Sequence, residues 1–446
     1  MDILNKIFGF SKDKKTVEPN VIFGRYTDAY KEKEKYTSWD DAMKSFEGEN
    51  YLDCYEQFLF YLKDDDLKNL TYQRESDHIT FSIYQGSKRI EGRADHKSIR
   101  AEAKIARTHT LNIGVLRRLL ELNYTLKYCR YALDDENNIT MLFHSKTLDA
   151  SPYKMYYALK ELAINADKQD DILEGEFENL ISINKSHIRE IDLKEKGAKY
   201  MYLMQTIDAV LLQIDNTKLN LINYPGAESY LLLDAIYKLD YLIKPEGFTM
   251  EALEKMHRKY FQNSGDVPAK KNDRLRKKLE KIRNRTKEEF EEEIYEVVST
   301  FGITMPSGHD QFVNFCKNEI GNINWYLNND HKIIAQAIPG YIVGYSLFNY
   351  SLPVPVKAML HLYYRVVEQE YFSSLGFSES FIKNDKPIKS KIIAEINLIV
   401  NSFKEDYGKL DFRTSMLKFD SVLDFSYSYL VMMQSIPVVK NNKINT

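Results

Sequence analysis

The feature that most constrains the fold is a run of strict alternation between apolar and polar side chains. In Ile79–Tyr84 and again in Ser98–Arg107, every second residue is apolar, with Ala106 as an exception among the polar positions of the second run. Lys88–Ala94 is a further strand candidate between them. Gln85-Gly86-Ser87 supplies a turn, because glycine tolerates the positive φ that a tight hairpin needs. This pattern predicts an antiparallel sheet with one face on a core and the other in water.

Helical patterns flank these strands. Helices are predicted at about Trp39–Leu62, at Leu111–Leu122 and from Ser151-Pro152, where serine is a good N-cap and proline suits the first turn. Two more strands, Leu126–Tyr131 and Ile139–His144, lie between the second and third helices. The middle helix carries one apolar stripe, which we expect to face the core. Its members are Ile113, Leu116, Leu119 and Leu120.

The element order is therefore helix, three strands, helix, two strands, helix. Four stretches characterise it: Leu119-Leu-Glu-Leu-Asn-Tyr124, Cys129-Arg-Tyr-Ala132, Asn138-Ile-Thr-Met-Leu142 and the helix from Ser151. This arrangement resembles the type III secretion chaperone-like fold, including the YbjN-like proteins, over about residues 39–190. The resemblance implies a non-enzymatic domain, often dimeric, that binds polypeptide segments.

The length of the chain indicates at least two domains. It has 446 residues, and from about Glu190 onward the apolar spacing is helical almost throughout. We predict an α+β fold in which a helix-flanked antiparallel sheet is followed by an all-α domain. The expected division is an N-terminal arm (1–38), an α+β domain (39–190), a helical domain (191–440) and a disordered tail (441–446).

Composition restricts the kinds of function that the chain can have. A net charge of −3 argues against a chain that binds polyanions over its whole surface. Three widely separated cysteines, Cys54, Cys129 and Cys316, indicate a reducing compartment, and we expect a cytoplasmic protein of bacterial type. No nucleotide loop, metal-spaced ligand set or nucleophile motif is present. The sequence therefore predicts no cofactor and no metal, and it favours a protein without catalytic activity.

The leading hypothesis is a chaperone, adaptor or scaffold that engages a polypeptide, either another protein or a second copy of itself. A sheet can accept an added strand at an open edge, and an apolar groove can take a partner helix. We expect Leu116, Leu120, Leu142 and Tyr156 to lie in or around the core, and the outer surface of the last two strands to meet the partner. The partner-binding candidates are Leu126, Tyr128, Arg130, Thr140, Leu142 and His144.

A second hypothesis is nucleic-acid binding through a basic helix. Lys270–Lys287 contains ten lysines or arginines, but Glu288–Glu296 follows with six glutamates that would repel phosphate. No aromatic residues are interleaved with the basic ones, so the pattern favours an exposed helix of mixed charge. The candidates for nucleic-acid contact are Arg274, Lys277, Lys278, Lys281 and Arg285.

A third hypothesis is an enzyme with its site in the helical domain. It predicts a deep pocket that holds His309, His331 or His361 beside a carboxylate, as general acid–base chemistry requires. The spacing of the nine histidines supplies no metal-ligand pair on one helix face.

The first ten residues form an amphipathic pattern. Ile3, Leu4, Ile7 and Phe8 share one helical face, and three lysines follow within residues 12–15. This pattern is typical of a small anchor for a membrane surface or a partner groove. The alternative is a terminal segment that packs on its own domain, which we favour over contact of residues 3–10 with a membrane.

Overall fold

A computed structural model shows an α+β protein made of two compact units. The structure describes residues 18–26, 28, 31, 33–108, 113–177, 180–183, 187–302, 309–407 and 410–435. Of these described residues, the sheet unit comprises those within 26–190 and 295–302, and the helical unit comprises those within 18–25, 191–294 and 309–435. Each unit has a hydrophobic core of its own.

The sheet unit is built on an antiparallel sheet with the strand order β1-β2-β3-β4-β6-β5. The strands are β1 (Leu70–Arg74), β2 (His78–Gly86), β3 (Lys88–Asp95), β4 (Ser98–Thr108), β5 (Arg130–Leu133) and β6 (Asn138–Lys146). A short strand β7 (Leu180–Ser182) also pairs with β4. The predicted alternation is confirmed, because β2 to β4 and β6 bury one set of alternate residues and leave the other set at the surface.

Four helices accompany the sheet: α1 (Lys33–Glu47), α2 (Tyr51–Leu62), α3 (Ile113–Thr125) and α4 (Pro152–Glu176). Helices α2 and α4 cover the buried face of the sheet. Close packing beneath them uses a glycine in β3, since a Cβ at Gly92 would lie 2.1 Å from the Phe81 ring. Ser151 caps α4 as predicted, accepting a hydrogen bond from the Lys154 N–H at 3.4 Å.

Several local predictions differ from the structure. The helix expected at 39–62 is two helices, and α1 begins at Lys33, so the expected arm of residues 1–38 ends inside a helix. Strand β1 was not predicted. The strand expected at 126–131 is β5 at Arg130–Leu133, because the backbone of residues 127–129 instead binds a carboxylate on α4.

The predicted core position of two leucines on α3 is wrong. Leu116 and Leu120 are exposed, whereas Val115 and Leu119 are buried against the sheet unit's core. The cause is the rotation of the helix: its sequence carries apolar side chains on two faces, and only one face meets the sheet. Tyr156 does pack against the core, and Leu142 is half-buried on the opposite face of the sheet.

A segment that is distant in sequence completes the sheet unit. Strand β10 (Val298–Ser299) pairs with the end of β2, and β9 (Tyr295–Glu296) pairs with β8 (Arg189–Glu190). Thr300 fixes this return, since its hydroxyl donates to the Tyr84 carbonyl at 2.8 Å. The sequence prediction had assigned these residues to the helical domain.

The helical unit contains helices α5 to α15 in the described part of the chain, with a short hairpin of β11 (Ile382–Lys383) and β12 (Lys386–Pro387). The helices are α5 (Leu193–Asp215), α6 (Pro225–Ile243), α7 (Gly247–Phe261), α8 (Pro268–Arg283), α9 (Lys287–Glu292), α10 (His309–Asn328), α11 (Lys332–Asn349), α12 (Val354–Val367), α13 (Gln369–Ser374), α14 (Lys389–Phe403) and α15 (Val422–Met433). Within the described ranges, none of the helices has the length and apolar character needed to span a bilayer.

Residues 18–25 run along the helical unit. The Gly24 N–H donates to the Tyr241 carbonyl at 2.8 Å, and the Phe23 ring packs among aromatic side chains of α12 and α13. Arg25 is buried and pairs with Asp240 at 2.6 Å. Although burial lowers the pKa of the guanidinium, Asp240 and Glu254 raise it well above its ordinary value, so Arg25 stays charged.

Candidate docking surfaces

Helix α3 exposes a continuous apolar stripe. Its members are Ile113, Leu116, Leu120 and Tyr124, whose exposed fractions are 84%, 39%, 70% and 93%. Spacings of three, four and four residues place them on one face of an α-helix. Single exposed apolar residues are ordinary, but a row of four on one short helix is typical of an interaction surface.

The same helix closes one edge of the sheet. The Asn123 carboxamide forms two hydrogen bonds with the backbone of Tyr131 in β5: its oxygen accepts the N–H at 2.7 Å, and its amide donates to the carbonyl at 3.2 Å. These backbone groups point away from β6, toward the outer side of β5. An added strand would bind on that side. Asn123 thus occupies the middle of the β5 edge, which argues against strand addition there.

A carboxylate fixes the loop that leads into β5. The Glu161 side chain of α4 accepts hydrogen bonds from the N–H groups of Lys127, Tyr128 and Cys129, at distances between 2.8 and 3.2 Å. The loop borders a groove of about 460 Å³ that Tyr128 and Tyr157 line. This groove is a concave surface of the sheet unit, next to the start of β5.

The structure brings together some of the predicted partner-binding residues. Arg130 lies directly opposite Leu142, and His144 shares their face of the sheet. Thr140 points to the same face but is buried. Two other candidates precede β5 in the loop: Leu126 is half-buried against the core, and Tyr128 lines the groove. The α3 stripe was absent from these candidates, because the apolar spacing had predicted that Ile113, Leu116 and Leu120 face the core.

The exposed face of the sheet has a row of basic residues. Arg93, Arg100 and His144 lie directly opposite one another on β3, β4 and β6. Like charges in this arrangement destabilise a sheet. Arg100 pairs with Glu102 at 2.9 Å, while no ion pair of Arg93 or Arg130 occurs among the residues that the structure describes. This face therefore exposes the cationic groups of Arg93 and Arg130.

The basic residues of the nucleic-acid hypothesis lie on and just after α8, and most are neutralised. Arg274 pairs with Asp266 at 2.6 Å and Lys277 with Asp273 at 2.8 Å. Arg285 pairs with Glu293 at 2.7 Å, and it lies over the Phe248 ring together with Lys281. Burial and the neighbouring lysines Lys255 and Lys281 lower the pKa of Lys278.

The predicted long helix through this region is interrupted. Helix α8 ends at Arg283, and α9 begins after a capping box in which Thr286 and Glu289 each bind the other's backbone N–H. The acidic block therefore belongs to a separate helix. Two further basic residues of α8, Arg276 and Arg283, form ion pairs with Asp215 and Asp208 of α5.

The three histidines of the enzyme hypothesis lie apart. His361 is buried between aromatic rings, and burial and Arg365 lower its pKa well below the ordinary value. His331 precedes α11 and stacks on Trp325, while His309 begins α10 beside Phe312. None of them lines the groove beside Tyr128 or the cleft of about 900 Å³ in the helical unit.

The hairpin between β2 and β3 holds a buried lysine. Gly86 has φ +54°, and a Cβ there would lie 1.9 Å from Asp167, so the turn requires glycine. The Lys88 ammonium is buried and donates to the carbonyls of Ile105 and Ile183 at 3.0 and 3.1 Å. The Lys88 ammonium therefore binds backbone carbonyl groups inside the protein.

The helical unit contains a cleft of about 900 Å³ with charged groups in its wall. Lys238 lies between two carboxylates, at 3.1 Å from Asp234 and 2.9 Å from Glu368, and the Tyr202 hydroxyl donates to Glu368 at 3.0 Å. Burial raises the pKa of Asp234 to about 6, against the opposing effect of Lys238. Although burial lowers the pKa of Lys238, the two carboxylates raise it, which keeps the ammonium charged.

Comparison with known proteins gives no relative from which a function could be transferred. No protein-family model and no curated protein matches this chain.

Proposed function

We propose that the protein is a non-catalytic adaptor or chaperone that binds a polypeptide partner through its sheet unit, with the α3 stripe as the main contact. One observation carries this proposal: four apolar side chains lie exposed in a row on α3, on the face that the sheet does not cover. This surface differs from the one predicted on the last two strands, because the edge of β5 is already occupied by Asn123.

The stripe has the pattern that an amphipathic helix recognises. Burying a large apolar side chain stabilises a complex by roughly 1.5 to 3 kcal/mol, so Ile113, Leu120 and Tyr124 can supply the greater part of a specific affinity. A partner helix would present its own apolar residues at spacings of three and four. The arginines on the exposed face of the sheet favour a partner that also has acidic residues.

The arrangement of the sheet unit supports the resemblance to type III secretion chaperone-like and YbjN-like proteins. The strands β2 to β6, with α3 between β4 and β5 and α4 after β6, follow the order on which that resemblance is based, whereas the second helix and β1 before them depart from it. We also propose a cytoplasmic location. It is supported by the three cysteines, which are all free and buried, a state that needs no oxidising compartment.

The test is capture of partners from the source cell by the full-length chain, at low and high salt, with identification by mass spectrometry. The identified partner is then titrated against Leu120→Asp/Tyr124→Asp. We expect at least a tenfold loss of affinity, because two desolvated contacts are replaced by carboxylates. The matched control is Leu148→Asp, since Leu148 is 76% exposed but lies outside α3. Equal affinity of both variants would remove α3 from the proposal.

Self-association is measured on the same variants. Light scattering of the wild-type chain over a hundredfold concentration range distinguishes a monomer from a dimer. A dimer that dissociates in Leu120→Asp/Tyr124→Asp but persists in Leu148→Asp would identify the partner as a second copy. A chain that stays monomeric and captures no protein would contradict the proposed function.

A further inference from the structure

The cleft of the helical unit runs along one face of α5. Its wall includes residues from Lys194 to Gln213, a distance of about 28 Å along the helix axis. Small side chains such as Ala198 and Ala209 leave room there, and the Met201 side chain is half-exposed in the wall. The cleft is therefore long and narrow, with apolar surface along α5, a shape that suits a peptide segment better than a compact small molecule.

The described part of the chain begins beside one end of this cleft. The Glu18 carboxylate accepts hydrogen bonds from the hydroxyl and the N–H of Ser378, at 2.6 and 3.2 Å. Ser374 and Asp385, a few residues to either side of Ser378, line the cleft. Glu18 therefore lies beside the segment 374–385, which contributes residues to the wall of this cleft.

Charge at this end of the cleft is unbalanced. Glu370 and Asp385 line it and are exposed, and neither forms an ion pair within the described residues. Asp234 and Glu368 share the single ammonium of Lys238. The wall has the carboxylates of Asp234, Glu368, Glu370 and Asp385 against the ammonium groups of Lys194 and Lys238, and so has an excess of negative charge. The sequence just before Glu18 has three lysines, at positions 12, 14 and 15.

We propose that the chain's own residues 3–15 bind in this cleft. In this arrangement the lysines at positions 12, 14 and 15, which are nearest to Glu18 in sequence, would bind beside Glu370 and Asp385, and the apolar residues 3–8 would bind along α5. Seven residues, 11–17, can span up to about 24 Å, which is enough for residues 3–8 to reach the middle of α5. This contact is separate from the α3 stripe and would stand if the proposed function failed.

The experiment uses the full-length chain with the photo-crosslinker p-benzoylphenylalanine in place of Phe8. Irradiation should give cross-links within one chain, and mass spectrometry should map them to α5 peptides that contain Met201 or Gln205. In the variant Glu370→Lys/Asp385→Lys, we expect the yield of these cross-links to fall at least threefold. The charge-matched control is Glu292→Lys/Asp411→Lys, in which two exposed acids outside the cleft are reversed.

Three outcomes would overturn the proposal. Cross-links confined to other parts of the chain would show that residues 3–10 bind elsewhere. Cross-links only between two chains, detected as a covalent dimer, would exclude binding within one molecule. An equal loss of yield in the cleft variant and in its control would show that the acids of the cleft do not attract the lysines.

Discussion

Helices α3 and α8 are both amphipathic, but they leave opposite kinds of side chain at the surface. Helix α8 displays many basic residues, most of which have acidic or aromatic partners within the chain. Helix α3 displays four apolar side chains that are exposed to solvent, between 39% and 93% of each. The comparison shows that an unusual composition indicates a binding site only where the chain itself does not already satisfy the side chains concerned.

The largest expected difference separates the two faces of α3. Leu119→Ala should lower the free energy of unfolding of the sheet unit by about 3 kcal/mol, because it leaves a cavity in the core. Leu120→Ala should change it by less than about 0.5 kcal/mol, since Leu120 is exposed. Urea unfolding is followed by the fluorescence of Trp39, in a Trp325→Phe background that leaves Trp39 as the only tryptophan.

The pair of variants is its own control, because both remove the same atoms from adjacent positions. If Leu120→Ala were as destabilising as Leu119→Ala, the exposed stripe would be part of a core, and α3 would lose its role as a docking surface. A partner added to the assay should reverse the order, with Leu120→Ala affecting affinity more strongly.

The sheet was predictable from sequence because its signal is local. Strict alternation in β2 and β4 and the glycine turn between β2 and β3 each follow from the residues concerned. The rotation of α3 was not predictable in this way. Apolar residues occupy two of its faces, and the choice between Leu119 and Leu120 as the buried residue depends on where β5 and β6 lie in space.

The second prediction concerns the closed edge of β5. Asn123→Ala removes both side-chain hydrogen bonds to the Tyr131 backbone and should lower the free energy of unfolding by about 1 to 2 kcal/mol. Asn123→Asp should cost less, because a carboxylate still accepts from the N–H. The measurement is again urea unfolding in the Trp39-only background.

The same substitution should also promote self-association through the edge of β5. Asn123→Ala exposes unpaired backbone groups, so light scattering should detect more self-association than in Asn123→Asp. If Asn123→Ala neither destabilises nor aggregates the protein, the edge is not protected by this side chain, and strand addition at β5 becomes a mode of partner binding to reconsider.

Long-range contacts account for what sequence patterns missed in the candidate sites. The carboxylate of Glu161 that shapes the loop before β5 lies more than thirty residues away in the chain. The return of residues 295–303 to the sheet unit depends on Thr300, which bonds residues more than two hundred positions earlier. A pattern within ten to twenty residues of sequence cannot predict contacts between residues so far apart in the chain.

The third prediction tests whether the charges near α8 are structural. Arg285 pairs with Glu293, whose carboxylate accepts the N–H groups of Phe248 and Thr249 at the start of α7. Arg285→Ala should lower the stability of the helical unit by about 1 kcal/mol, measured by Trp325 fluorescence in a Trp39→Phe background. Arg274→Ala, with its partly exposed pair, should cost less than half as much. If the two variants lost equal amounts of stability, the ion pair between Arg285 and Glu293 would stabilise the helical unit no more than an ordinary surface ion pair.

The smallest expected effect is on nucleic-acid binding. Because most basic side chains of α8 are paired, reversing Arg274 and Lys277 to glutamate should leave the retention of single- or double-stranded nucleic acid unchanged in a filter-binding assay at 150 mM salt. Each residue forms only a surface ion pair, so the stability of the helical unit should change by about 0.5 kcal/mol or less per site. Tight binding by the wild-type chain that weakens steeply with salt and disappears in the double variant would overturn this expectation. In that case both helices would be binding surfaces, because the paired cations of α8 would have exchanged their carboxylate partners for phosphate.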